Sequence, residues 1–408
     1  MVEGRGSLRD WHIPLLLVTA GILVRVPFLK AFDLVSYDGT YYINHAKSFF
    51  DNAFNASGFP VGYPAAIALL LPIVRDGVRA AQAVSLVAGL GSIVLLYYLC
   101  RHVIERRYAL VAAFVFALTP LFVRLSMMTM SESLYICLLL GGLLLYARER
   151  YLLSGLLFGA AACTRPEAVG IVAILALLRL REPGRLGRLL AGFAVIYVLG
   201  VTVQSYSAGR FVLLPKAHLF GTSASYWKLR EGWIEFDGQR QMMREVAEEG
   251  GSSGVVRDYL GRMPGELMLL ARHASPIILL LGLYGMVRRR SFLIVALLPF
   301  LFFAPFTFRS EPRFLLPYVP VLILYAMVGV EFFRAGRVRG FVLALAIVSF
   351  TATAILNRAQ LTTPVSRGYG WAKALGRRMS ERIERGATIA DRKPFFAFYA
   401  GGRYVEIP

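Results

Sequence analysis

The side chains in this sequence with chemistry to offer are charged residues standing at the ends of apolar runs. Asp38 lies in Ser36-Tyr37-Asp38-Gly39-Thr40-Tyr41-Tyr42, and Glu132 in Met130-Ser131-Glu132-Ser133. Arg165 and Glu167 flank Pro166, and Arg309, Glu311 and Arg313 share one short charged turn. A carboxylate so placed can act as a general base, taking a proton from an attacking hydroxyl. A guanidinium so placed offers a planar fork suited to a phosphate. Plainer roles stay open for each. Asp38 can be a helix cap favoured by the helix dipole. Arg165 and Glu167 can pair locally across a turn, and any of these charges can be an interfacial anchor. Arg25, near the outer end of the first apolar segment, either snorkels to the interface or faces the same cavity. Charges near hydrocarbon are costly unless paired or used, so their gathering on one face is what marks a site.

The motifs that are missing narrow the chemistry. No GxGxxG follows a strand, and there is no GxxxxGK[ST], DxD, HExxH or CxxC. No recognised motif binds a nucleotide. No cofactor is called for; a divalent metal stays open, although no motif indicates one. The three cysteines, Cys100, Cys137 and Cys163, sit in apolar segments without metal-type spacing, so packing and no disulfide are expected. A lipid phosphate carrying a group to be transferred fits such a chain. Its tail suits the apolar segments, its phosphate suits arginines, and its leaving group suits an interfacial carboxylate.

The elements that must position these residues are membrane spans. The hydrophobic fraction is 57%, above the roughly half expected of a soluble domain, and it comes in long unbroken runs. A crossing needs roughly 20 apolar residues. The net charge of +20 comes from arginines in short loops between apolar runs, which is the positive-inside pattern rather than a nucleic-acid footprint. We therefore expect an all-α polytopic membrane protein with about eleven spans, at residues 11–29, 80–100, 108–123, 133–147, 151–163, 167–178, 189–206, 274–287, 292–306, 314–333 and 340–356. The first, preceded by Arg5 and Arg9, reads as an uncleaved span rather than a signal peptide, because Arg25 interrupts it and no clean cleavage site follows. Residues 62–74 are apolar but short and carry Pro64 and Pro72, so they read as a juxtamembrane or re-entrant piece. The segment beginning at Asp38 has the spacing of an amphipathic helix lying in the interface. The transmembrane domain is expected over 1–356, with outer loops at 30–79 and 207–272, and a small extracytoplasmic segment over 357–408.

In order along the chain, the sequence shows Arg25, Tyr37-Asp38-Gly39-Thr40-Tyr41-Tyr42, Gly62-Tyr63-Pro64 and Ser131-Glu132-Ser133-Leu134. Cys163-Thr164-Arg165-Pro166-Glu167, Arg313-Phe314-Leu315-Leu316-Pro317 and a tail containing Pro394-Phe395-Phe396-Ala397-Phe398-Tyr399-Ala400-Gly401 follow. In that order and sidedness it resembles the C-superfamily membrane glycosyltransferases, most of all the protein O-mannosyltransferase-like group that includes the lipid A aminoarabinose transferases. The resemblance implies an inverting transfer from a polyprenyl-phosphate sugar to a lipid, glycan or protein acceptor, on the extracytoplasmic face of a bacterial inner membrane. It places Asp38 at the catalytic position of the first loop, with Arg165, Arg313 and Arg25 toward the donor phosphate. Glu132 and Glu167 would support the site, and Tyr41, Tyr42, Trp227 and Trp233 would either shape the sugar pocket or anchor the chain at the membrane interface. Many members carry a second acidic residue directly after the catalytic one, where this chain has Gly39. A lipid-linked-sugar flippase, a polysaccharide polymerase or ligase, and a structural membrane subunit are the rival readings.

Overall fold

The computed structural model describes residues 11–48, 59–209, 211–213, 261, 263–289, 312–363, 370–384, 387–391 and 393–406. The expected span at 292–306 lies outside the described residues, as do Arg5, Arg9, Trp227, Trp233, Arg309 and Glu311. The described chain is helical apart from two short strands. Helix α1 is His12–Arg25, continued by a tighter turn over Val26–Phe32. Then come α2 Tyr37–Lys47, α3 Gly62–Val74, α4 Gly77–Val103, α5 Arg106–Leu118, α6 Pro120–Leu125, α7 Glu132–Ala147, α8 Tyr151–Thr164, α9 Glu167–Leu177 and α10 Pro183–Ala208. Helices α11 Met263–Ala274 and α12 Pro276–Arg288 meet at a 110° bend. Two helical turns from Pro312 to Tyr318 lead into α13 Val319–Glu331, followed by α14 Gly336–Leu356.

Five described helical stretches are long and apolar enough to cross a membrane, or six with the bent pair counted as one span. They include α1 with its following turn, α4, α10, α14 and the stretch Pro312–Glu331. Helices α3, α7, α8 and α9 are apolar but shorter. The continuous span expected at 108–123 is instead two helices, interrupted at Thr119. The cause is Pro120, which lacks the N–H that a continuing helix needs and instead starts a new one. The bend between α11 and α12 falls at Ser275, which takes a φ of 90° just before Pro276.

Burial sorts the helices into layers. Every residue of α13 from Val319 to Val330 is buried, so this helix is central. Helices α10 and α14 expose most of their apolar surface, which is the composition of a lipid-facing helix. Helices α8 and α10 pack backbone to backbone. A Cβ at Gly155 would stand 2.1 Å from the Leu189 carbonyl oxygen, and one at Gly192 would stand 2.1 Å from that of Leu152. Small residues at such a crossing let two apolar helices gain contact where no water drives them together.

After α14 the chain forms a compact end piece. It holds α15 Gly370–Met379, β1 Thr388–Asp391, α16 Phe395–Ala400 and β2 Arg403–Glu406, with β1 and β2 parallel and Thr388 opposite Arg403. A parallel pair needs a crossover, and α16 supplies it. Ala372 and Phe395 of this piece enter the same buried cluster as Val35, Tyr42, Ile43 and Tyr63. The end piece therefore shares a core with the first loop of the chain.

Candidate active site

The site is built on α2, and Ser36 begins it. Ser36 is the N-cap: its Oγ accepts the Gly39 N–H at 3.0 Å. Ser36 also donates its own N–H to Thr129 Oγ1 at 2.9 Å, and its hydroxyl lies 2.9 Å from the Thr129 carbonyl oxygen. The capping role open to Asp38 is thus filled by Ser36, and the Asp38 carboxylate turns elsewhere. The contact with Thr129 also explains Gly39. A Cβ there would stand 2.1 Å from Thr129 Oγ1 and 2.7 Å from Ser36 Oγ. A second acidic side chain directly after Asp38 has no room in this chain.

Arg313 Nη1 donates to Asp38 Oδ2 at 2.8 Å, joining residues 275 apart in sequence. Both side chains are partly buried, at 24% and 14% exposure. A second cluster lies alongside. Arg165 Nη1 donates to Glu132 Oε1 at 2.9 Å, while its Nη2 and Nε donate to Glu167 Oε1 at 2.8 and 3.2 Å. Phe314 ties the two together, its ring centroid 5.2 Å from the Arg313 guanidinium and 5.3 Å from that of Arg165. Glu132 is buried, and its Oε2 has no hydrogen-bond partner among the described residues, an expensive state for a carboxylate oxygen. The local pairing open to Arg165 and Glu167 is real, but Arg165 also reaches Glu132 on another helix.

The tyrosines line the α2 side. The Tyr42 hydroxyl lies 3.3 Å from Ser131 Oγ, and its ring packs edge-on against Phe59 and Tyr63. Burial, with Asp38 and Glu132 nearby, raises the Tyr42 pKa above that of an ordinary phenol, so it stays protonated and able to donate. Tyr41 stacks on Phe59 at 5.0 Å, and its hydroxyl lies 3.5 Å from that of Tyr37. Arg25 stands apart from these pairs. It does not snorkel: its side chain is buried, Nε donates to Ser126 Oγ at 2.7 Å, and Nη1 donates to the Gly21 carbonyl at 2.8 Å. Its guanidinium rests 5.2 Å from the Phe122 ring centroid, and Nη2 has no hydrogen-bond partner among the described residues.

Sequence reasoning missed the parts that hold α2 in place. Tyr399 of α16 accepts the Val35 N–H at 3.1 Å, and Lys373 of α15 pairs with Asp33. The Lys393 ammonium sits 5.1 Å from the Tyr37 ring centroid. Tyr399 lies in the aromatic tail segment that the sequence singles out, but nothing in its spacing names Val35 as the partner. Among the described residues, no three His, Cys, Asp or Glu side chains gather as the ligands of a metal would.

Residues 59–205 match the dolichyl-phosphate-mannose-protein mannosyltransferase family. No curated protein sequence matches the chain. Among solved structures it is similar to ArnT from Cupriavidus metallidurans bound to undecaprenyl phosphate, with a TM-score of 0.61 and 13% identity over 96% of this chain and 85% of that one. It is also similar to the Archaeoglobus fulgidus oligosaccharyltransferase in complex with Zn and sulfate, with a TM-score of 0.66 and 14% identity over 97% of this chain. The match spans 62% of that longer protein. The oligosaccharyltransferase AglB of the same organism, in complex with an inhibitory peptide and a dolichol-phosphate, gives a TM-score of 0.61 at 14% identity, over 98% of this chain and 65% of that one. The chain therefore shares the fold of these solved membrane proteins and, over residues 59–205, the sequence pattern of the dolichyl-phosphate-mannose-protein mannosyltransferase family.

Proposed function

We propose that this protein transfers a sugar, with inversion, from a polyprenyl-phosphate-linked donor to a lipid, glycan or protein acceptor at the extracytoplasmic face of a bacterial inner membrane, through about eleven spans. The observation that carries this reading is the Asp38–Arg313 pair at 2.8 Å, joined through Phe314 to Arg165. A base and two phosphate-type cations then lie around one aromatic ring. Asp38 takes the proton of the acceptor hydroxyl as its oxygen bonds to the sugar C1. The bond from C1 to the phosphate oxygen breaks, and the electron pair leaves with the lipid phosphate. Arg313, and Arg165 beside it, meet the negative charge as it develops on that leaving oxygen. Arg313 thereby exchanges Asp38 for the phosphate, which frees the carboxylate to act as base. Glu132 and Glu167 hold the Arg165 guanidinium in orientation, and Tyr41 and Tyr42 offer faces and hydroxyls to the sugar. Arg25 adds a buried positive charge that no described carboxylate pairs with.

No step in this scheme passes through a metal.

The experiment is turnover by purified protein of radiolabelled undecaprenyl-phosphate hexoses and pentoses, with Asp38→Asn beside the wild type. We expect release of undecaprenyl phosphate to fall roughly 100- to 10,000-fold in the variant, at unchanged yield and melting temperature. Undiminished turnover in Asp38→Asn would remove the base. A flippase would move the labelled lipid without cleaving it.

A further inference from the structure

We propose that the end piece of the chain docks on the bilayer surface through α15, with Trp371 and Leu375 among the upper acyl chains and Arg378 against an anionic lipid phosphate. The inner face of α15 is set by Ala372 and Gly376, four residues apart and both buried. Gly376 is the point of closest approach: a Cβ there would stand 2.7 Å from Tyr399 Cβ and 3.1 Å from the Ala400 nitrogen. Trp371, Leu375 and Arg378 are spaced by four and then three residues, so they share one flank of the helix. All three are exposed, Trp371 at 51% and Leu375 at 44%. Phe396 of α16 stacks on the Trp371 ring with centroids 6.4 Å apart, which holds the indole on that flank. Tryptophan and leucine with an arginine beside them are the composition of a helix lying in a membrane interface, where an indole sits at the level of the headgroups.

Where the end piece stands decides what covers this flank. Ala372 and Phe395 share a buried cluster with Ala80, Ala81 and Val84 of the first turns of α4, and with Tyr63 and Ile67 of α3. Helix α4 is long and apolar enough to be a span, so the end piece is packed where a span leaves the hydrocarbon. Helix α14, the span that precedes the end piece, stays exposed and apolar up to Ile355 and Leu356. Headgroups lie at that level, and an exposed arginine next to apolar side chains is complementary to an anionic one. The opposite flank of α15 faces the first loop, where Lys373 pairs with Asp33, while Tyr399 of α16 accepts the Val35 N–H. The end piece thus links the lipid surface to the segment that enters α2.

The test uses the purified protein in vesicles, with Trp11→Phe, Trp227→Phe and Trp233→Phe combined so that Trp371 alone fluoresces. The probe lipid carries bromine on the acyl chain near its glycerol end. Trp371 should lose fluorescence to this lipid and be shielded from iodide in the water. Leu375→Asp should lessen the lipid quenching and admit iodide at unchanged melting temperature. Arg378→Gln should lessen the lipid quenching in vesicles containing phosphatidylglycerol and have no effect in phosphatidylcholine alone. Should the triple replacement fail to fold, the same signal is the quenching lost between wild type and Trp371→Phe. Iodide quenching without lipid quenching overturns the proposal, because the flank then faces water. Shielding from both also overturns it, because a second copy or another part of the protein then covers the flank. Lipid quenching that Leu375→Asp leaves unchanged overturns the docking role, and an effect of Arg378→Gln that is equal in both lipids overturns the phosphate contact.

Discussion

Replacing Arg165 by Met should destabilise the protein severely, and the structure sets the size of the effect. The Arg165 side chain is 8% exposed, and its partners Glu132 and Glu167 are 2% and 17% exposed. The guanidinium makes two short bonds, one to each carboxylate, and a longer one to Glu167 at 3.2 Å. Methionine fills much of the volume but leaves buried Glu132 and partly buried Glu167 without the guanidinium they share. Removing one partner of a buried ion pair costs about 3–5 kcal/mol, mostly through the charge left behind. Glu132, the more deeply buried partner, places Arg165→Met within that range. The second variant isolates the cause. Adding Glu132→Gln removes one stranded charge, so Arg165→Met/Glu132→Gln should recover about 2 kcal/mol of the loss. The assay is unfolding from mixed micelles by titration with a denaturing detergent, followed by tryptophan fluorescence. A single variant within about 1 kcal/mol of wild type, well below the cost of an uncompensated buried charge, would refute the buried network. A double variant no more stable than the single one would show that stranded charge is not the source of the loss.

Gly39→Ala should cost about 1–3 kcal/mol by overpacking and depress transfer, because the new Cβ would stand 2.1 Å from Thr129 Oγ1. Combining it with Thr129→Gly clears that space and should restore part of the lost turnover; no restoration would place the strain elsewhere. His45, on α2, is buried beside Ser207, with Nε2 3.3 Å from the serine hydroxyl, and burial pushes its pKa down to about 4. The unfolded chain therefore binds this proton first. Stability should fall as pH drops from about 6.5 to about 4, by roughly 3 kcal/mol in all. His45→Gln should flatten that part of the profile, and a thermal-unfolding series across this pH range checks it.

The charged residues of the site were legible because hydrocarbon makes charge conspicuous. Asp38, Glu132, Arg165, Glu167 and Arg313 each interrupt or end an apolar run. Their pairing was not legible. Asp38 meets Arg313 across 275 residues, and Arg165 chooses Glu132 as well as its near neighbour Glu167. Such choices are made by the packing of α7, α8 and α9, which no local pattern encodes. Arg25 shows the same limit in reverse. Its position suggested snorkelling or the cavity, whereas the structure turns it inward onto Ser126 and Phe122. The break at Thr119 had a signal in Pro120, but the hydrophobicity of the surrounding run masked it. The short strands of the end piece carried too few residues for an alternating pattern to stand out.

The hydrogen bond from Val35 to Tyr399 also has a meaning in time. Ribosomes deliver residue 35 long before residue 399, so the segment bearing the carboxylate must wait, only partly anchored, until that later residue has emerged. A nascent chain or a fragment cut ahead of the end piece would carry the five charged residues yet lack the clamp on α2. The anchoring of α2 from that side would then begin only once residue 399 has been made.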